Sequence, residues 1–91
     1  MSWKVSNNKL VNEIRFKTQL ELANYITKVA RIADQHDHHP DFKVTKCSYL
    51  TLELYNHESN SISDKDYQLA ELIDLIPIPK NENVLNSTWD L

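Results

Sequence analysis

The chain has 91 residues, a formal net charge of −3, a single cysteine and no glycine. That length supports one domain with a core small enough for self-association to be expected. No two of its ten lysine and arginine residues are adjacent, so no basic patch marks a nucleic-acid partner; Cys47 has no second cysteine for a disulfide, no apolar run is long enough to cross a bilayer, and the polar start Met1-Ser2-Trp3-Lys4 is not a signal peptide, which makes a cytoplasmic protein the expectation.

Trp3 to Ser6 reads as a short strand, with Trp3 and Val5 on one side. Asn7-Asn8 suits a two-residue hairpin turn, because asparagine tolerates left-handed backbone better than most residues with a side chain. Without glycine, turns fall to Asn, Asp and Ser, and Ser59-Asn60-Ser61 is a second place for one. Lys9 to Phe16 alternates: Leu10, Ile14 and Phe16 share a face that Asn12 interrupts, while Glu13 and Arg15 take the other. Thr18-Gln19-Leu20-Glu21 has capping-box spacing, so a helix follows. Its apolar stripe is Leu22, Ile26, Val29 and Ala33, flanked by Ala23 and Ala30, with Lys28, Arg31 and Gln35 toward water. The helix is expected to end near Asp37 or His38.

Asp41 to Lys46 follows as a strand with Phe42 and Val44 inward, and Cys47-Ser48 is the expected connection. Tyr49 to Tyr55 alternates most cleanly, with Leu50, Leu52 and Leu54 inward and Tyr49, Thr51, Glu53 and Tyr55 outward. Asn56 to Ile62 is a polar loop carrying His57 and Glu58. Ser63-Asp64-Lys65-Asp66 is a second capping box, with Ile62 and Tyr67 spaced for a hydrophobic staple. The helix it opens carries Leu69, Ala70, Ile73 and Ile76 on its apolar side and stops before Pro77 and Pro79. The order ββαββα implies an α+β domain over residues 1–79: a four-stranded, mainly antiparallel sheet with two helices packed on one face. Residues 80–91 form a polar tail in which Val84, Leu85 and Trp89 are apolar enough to dock on the body.

The chemistry concentrates in Asp37-His38-His39-Pro40-Asp41-Phe42. Pro40 pushes His39 out of the helical region, so His38 should close the helix while His39 leaves it, and the rings should diverge. Asp34 lies one turn before His38, and the helix dipole favours a cation there. Adjacent His39 opposes double protonation, and one charged and one neutral imidazole make an acid–base pair near neutrality. A solvated helix end is the bland alternative. His36-Asp37-His38-His39 contains metal-ligand types, but neighbours in sequence rarely converge on one ion and no helical pair at i and i+4 exists, so no metal site is expected. Asp66 is where a capping carboxylate belongs, and a capped helix start is also a rigid mount for one. Cys47 has no partner that marks a nucleophile, no glycine-rich phosphate loop is possible, and no Ser-His-Asp signature is evident.

The run Ala33-Asp34-Gln35-His36-Asp37-His38-His39-Pro40-Asp41-Phe42, then Leu50-Thr51-Leu52, His57 and Ser63-Asp64-Lys65-Asp66-Tyr67-Gln68-Leu69-Ala70, resembles the pterin-4a-carbinolamine dehydratases over nearly the whole chain. The resemblance implies an α+β fold and loss of water from a 4a-hydroxytetrahydropterin to give the quinonoid dihydropterin, with no metal or organic cofactor. It implies catalytic roles for His38, His39, His57 and Asp66. Asp34, Pro40, Phe42 and Glu58 are the expected substrate-binding residues. A small-molecule pterin is then the partner, with no nucleic acid or membrane, and a homodimer or homotetramer is implied. Phe42 stands where tryptophan is usual and Asp34 where glutamate is frequent. Two other readings compete: a non-enzymatic dimerisation or coactivator-type module of the same fold, and a metal-dependent hydrolase using the histidine cluster.

Overall fold

Leu50, Leu52 and Leu54 are each no more than 1% exposed, and they mark the centre of the fold. They belong to β4 (Tyr49–Leu54), which lies between β2 (Lys9–Arg15) and β3 (Asp41–Thr45), with β1 (Lys4–Ser6) beyond β2. Helices α1 (Gln19–His36) and α2 (Asp64–Asp74) follow the two hairpins and complete the ββαββα order. All three strand pairings are antiparallel. The computed structural model describes residues 3–79, so the expectation for Val84, Leu85 and Trp89 lies outside the described residues.

Strand alternation puts Leu10, Ile14, Leu50, Leu52 and Leu54 on one face, and Phe16 just past β2 joins them; α1 contributes Leu22, Tyr25 and Val29 and α2 Leu69, Ala70 and Ile73 to the same cluster. Both helices therefore cover one face of the sheet, as expected. Asn12 is buried opposite Leu52, and its Nδ2 has no partner among the described residues. Tyr25, not assigned to the stripe from periodicity, is buried while Ile26 is half-buried. Burial, and then the charge of Asp74, push the Tyr25 phenol up to about 12.

Three expectations are corrected. Val44, expected inward, points to the helix side but is 45% exposed, because the outer strand β3 runs past the helices; Val5 on the other outer strand, β1, is 62% exposed in the same way. Ile62 packs on the core while Tyr67 is 52% exposed, so the two are not equal partners of a buried staple. At the start of α1, Glu21 accepts from Lys17 N–H rather than from Thr18, while Thr18 Oγ1 accepts from Glu21 N–H as a cap should.

The second hairpin closes with Thr45 opposite Tyr49, so its connection is Lys46, Cys47 and Ser48, one residue longer than the expected Cys47-Ser48, with Lys46 and Cys47 at φ 50° and 57°. Asn7 and Asn8 adopt the same left-handed backbone in the first hairpin, as does Asn60 in the loop. Only the first is a two-residue hairpin, where positive φ at both central positions matches strand twist; in either hairpin, left-handed backbone at a residue with a side chain costs roughly 1–2 kcal/mol. Replacing Lys46-Cys47 by Asn-Gly should therefore raise the unfolding free energy by about 1–2 kcal/mol in urea titrations, with the far-UV spectrum unchanged.

Candidate active site

Helix α1 stops at His36 because Asp37 turns left-handed, at φ 50° and ψ 41°. Asp37 N–H then reaches the Asp34 carbonyl at 3.4 Å and His38 N–H the Ala33 carbonyl at 3.2 Å. This is the closing pattern glycine usually provides, here carried by aspartate. His38 is thus the second residue beyond the helix, after the Asp37 cap, and not its last. The reversal takes His38 out of helical phase with Asp34, and it overturns the expected pairing of those two side chains.

Three of the four imidazoles, those of His38, His39 and His57, meet a carboxylate through Nε2. His38 Nε2 lies 2.5 Å from Asp66 Oδ1, with the Asp66 side chain fully buried and His38 15% exposed. The other carboxylate oxygen, Oδ2, accepts from the Ser63 backbone N–H at 2.8 Å and from its hydroxyl at 3.0 Å. Asp66 therefore both caps α2 and grips the residue that leaves α1. His39 Nε2 lies 2.8 Å from Asp34 Oδ1 in an exposed pair, so Asp34 serves the second histidine of the motif instead of the first. His57 Nε2 stands 3.4 Å from Asp41 Oδ1, also exposed. Asp41 Oδ2 accepts from the Tyr55 hydroxyl at 2.9 Å, and the Tyr55 and His57 rings meet at 4.3 Å.

The turn from His38 to Asp41 gathers these pairs, since three peptide steps span at most about 11 Å. Among the described residues, no hydrogen bond or ring contact joins one of the three imidazoles to another. The two ends of the turn also face differently. His38 and Asp66 lie at the start of α2, on the helix side, whereas Asp41 pairs across with Glu53 and shares the helix-free face with Tyr55. A cavity of about 210 Å³ opens beside His38, lined by His36, Lys65, Gln68, Leu69 and Leu72, and its lining includes neither His39 nor His57.

Of the remaining expected site residues, Pro40 is buried and Phe42 packs half-buried against the core from β3. Glu58 is exposed, and it is its backbone N–H that is held, by Asn56 Oδ1 at 2.9 Å. That turn also orders the loop carrying His57: Asn56 Oδ1 takes Ser59 N–H as well, and Asn56 bridges to Ser61. Asp41 and Tyr55 were absent from the expected set. Hairpin register held the signal, because a tight β3–β4 turn sets Asp41 opposite Glu53 and diagonal to outward Tyr55. No group of three or more His, Cys, Asp or Glu among the described residues is arranged to hold a metal ion.

Fold and site together define a small ββαββα protein in which three histidines, each tied to its own carboxylate, are held from one helix-to-strand turn. The chain belongs to the pterin 4 alpha carbinolamine dehydratase family, whose model matches residues 1–76. A Sulfolobus acidocaldarius protein provisionally named as a pterin-4-alpha-carbinolamine dehydratase is 38% identical over 77 residues, covering 81% of this chain and 80% of its own length. One from Prochlorococcus marinus MIT 9313, named in the same way, is 34% identical over 74 residues, covering 81% and 76%. Among solved structures, a transcriptional coactivator/pterin dehydratase from Brucella melitensis superposes with a TM-score of 0.71 at 19% identity, covering 79% of this chain and 78% of that one. A pterin dehydratase-like protein identified as a RuBisCO assembly factor in the alpha-carboxysome gives 0.62 at 12% identity, covering 80% and 83%. At those identities the two structures establish the shared fold.

Because Asp66 is buried with three donors on its carboxylate, Asp66→Ala removes a cap and strands the Ser63 N–H and His38. It should lower stability by about 2–4 kcal/mol in urea denaturation. Asp66→Asn, which keeps the shape and one acceptor, should cost less than half of that.

Proposed function

We propose that this protein dehydrates a 4a-hydroxytetrahydropterin to the quinonoid dihydropterin, using histidine acid–base catalysis without a metal or organic cofactor. The observation that carries the reading is the buried His38–Asp66 pair at the turn from which His39 and, through Asp41, His57 are also held. A buried carboxylate fixed by three donors holds a ring in one orientation, which is what proton transfer at a set position needs.

The reaction breaks the C4a–O bond, releases the hydroxyl as water with one added proton, removes the N5 proton and forms the C4a=N5 double bond. It thus needs one proton donor and one acceptor, and imidazoles near neutrality serve as both. With Nε2 on Asp66, His38 exchanges protons with substrate through Nδ1. His38 and His57 form the acid–base pair at the hydroxyl. His39, steadied by Asp34, holds the pterin and assists proton removal from N5. Pro40 fixes the turn, Phe42 is the apolar wall behind it, and Glu58 is a rim contact. Self-association as a homodimer or homotetramer in the cytoplasm completes the reading, supported by the small core and by the outer position of β3 in the sheet.

The interaction-module reading draws on α2 and its C-terminal cap, where Tyr67 and Leu75 are 52% and 77% exposed. One assay separates the two. Purified protein should accelerate dehydration of a 4a-hydroxytetrahydropterin, with or without chelator. His38→Ala and His57→Ala should each lower kcat/KM by roughly 10²–10⁴-fold, and the double variant should fall to the spontaneous rate while its circular dichroism stays native. Wild-type protein without acceleration would favour the interaction module, and full activity in the double variant would refute the assignment of the histidines.

A further inference from the structure

Asp41, within the histidine motif, is the junction of a cluster whose other members, Tyr55 and His57, lie outside it. It is the first residue of β3, and its two carboxylate oxygens serve two different side chains: Oδ2 takes the Tyr55 hydroxyl at 2.9 Å and Oδ1 faces His57 Nε2 at 3.4 Å. The two side chains also touch one another, ring to ring, at 4.3 Å with an interplanar angle of 51°. Asp41, Tyr55 and His57 thus close a triangle in which each member contacts the other two.

The triangle is anchored from the sheet. Lys9 of β2 sits over the Tyr55 ring at 4.6 Å and pairs with Glu53 at 3.4 Å, and Glu53 in turn takes Lys43 of β3 at 3.2 Å. Tyr55 is therefore held by β2 from above, by β3 through its hydroxyl and by the loop through His57. Its hydroxyl is held firmly as a donor: the bond to Asp41, followed by desolvation and the charges of Asp41 and Glu53, raises its pKa above the ordinary phenol value. An exposed imidazole on a loop has no fixed orientation of its own, and a carboxylate at one nitrogen supplies both orientation and tautomer.

We infer that Asp41, braced by Tyr55, is the positioning residue for His57: it keeps the proton on Nε2 and turns Nδ1 toward the substrate as the proton acceptor. This rests on the dehydratase reading for its catalytic consequence, but the tautomer it specifies is a property of the free protein. In this arrangement each of the three histidines has its own carboxylate on Nε2: Asp66 for His38, Asp34 for His39 and Asp41 for His57. The third carboxylate stands in the sequence motif, but its pairing with His57 is set by the β3–β4 register.

The test pairs a spectroscopic reading with kinetics on the full chain, using Asp41→Asn, Asp41→Glu and Tyr55→Phe. Long-range ¹⁵N–¹H spectra of the free wild-type protein should show neutral His57 mainly as the Nε2–H tautomer. That preference should weaken in Asp41→Asn, in part in Tyr55→Phe, and recover in Asp41→Glu. In the dehydration assay, Asp41→Asn should lower kcat by roughly tenfold, the low end for a carboxylate behind a functional histidine, with KM nearly unchanged. An unaltered His57 tautomer in Asp41→Asn would overturn the inference whether or not the protein is active. Retention of the tautomer effect in a protein that does not accelerate dehydration would leave Asp41 as the positioning residue and remove the dehydratase reading instead.

Discussion

The site depends on a carboxylate that has no access to water. Asp66 is fully buried, and a buried charge is tolerated only when its oxygens are well paired. Ser63 supplies two donors from the start of α2, and His38 supplies the third from the end of α1. One side chain thus ties together two helix termini that are far apart in sequence, and it does so at the helix-to-strand turn. Moving either helix relative to the other would leave this carboxylate unpaired, so the fold itself holds the His38 ring in place.

From that fixed point the other histidines follow by chain connectivity. Pro40 is buried and starts the chain into β3, which leaves His39 to swing toward Asp34 and places Asp41 at the strand's first position. The result is graded: His38 is nearly enclosed, while the side chains of His39 and His57 are 52% and 54% exposed. An enclosed imidazole has a fixed orientation. Exposed ones draw theirs from Asp34 and from the Asp41–Tyr55 pair.

Period-two alternation in Tyr49 to Leu54 and the stripe in α1 made the sheet, its helix-covered face and the antiparallel hairpins legible from sequence. Ser63 and Asp66 were legible as a cap, and the second role of Asp66 followed from the family resemblance. The partners of the histidines were not. Asp34 was expected beside His38 because helical spacing was extended through Asp37, and a left-handed aspartate ended that spacing one residue too soon. Lys46 was read as the end of β3 because lysine does not favour positive φ; strand pairing on both sides draws it into the connection with Cys47 and Ser48. Tyr25 is a long side chain whose burial depends on where α2 packs, and helical periodicity alone does not contain that. Asp41 and Tyr55 were hidden by distance in sequence, although the register of the three-residue β3–β4 hairpin, with Asp41 opposite Glu53, places them diagonally on one face.

The central claim is that His38, His39 and His57 act on a single bound molecule although no contact joins them in the free protein. The most direct measurement is a titration of the isotope-labelled full chain with a stable dihydropterin, followed through the ring signals of all three histidines. A common binding curve, with all three shifting at one dissociation constant, is the expected result. A ligand that moves His38 and His39 while leaving His57 unchanged, or that binds away from all three, would contradict it.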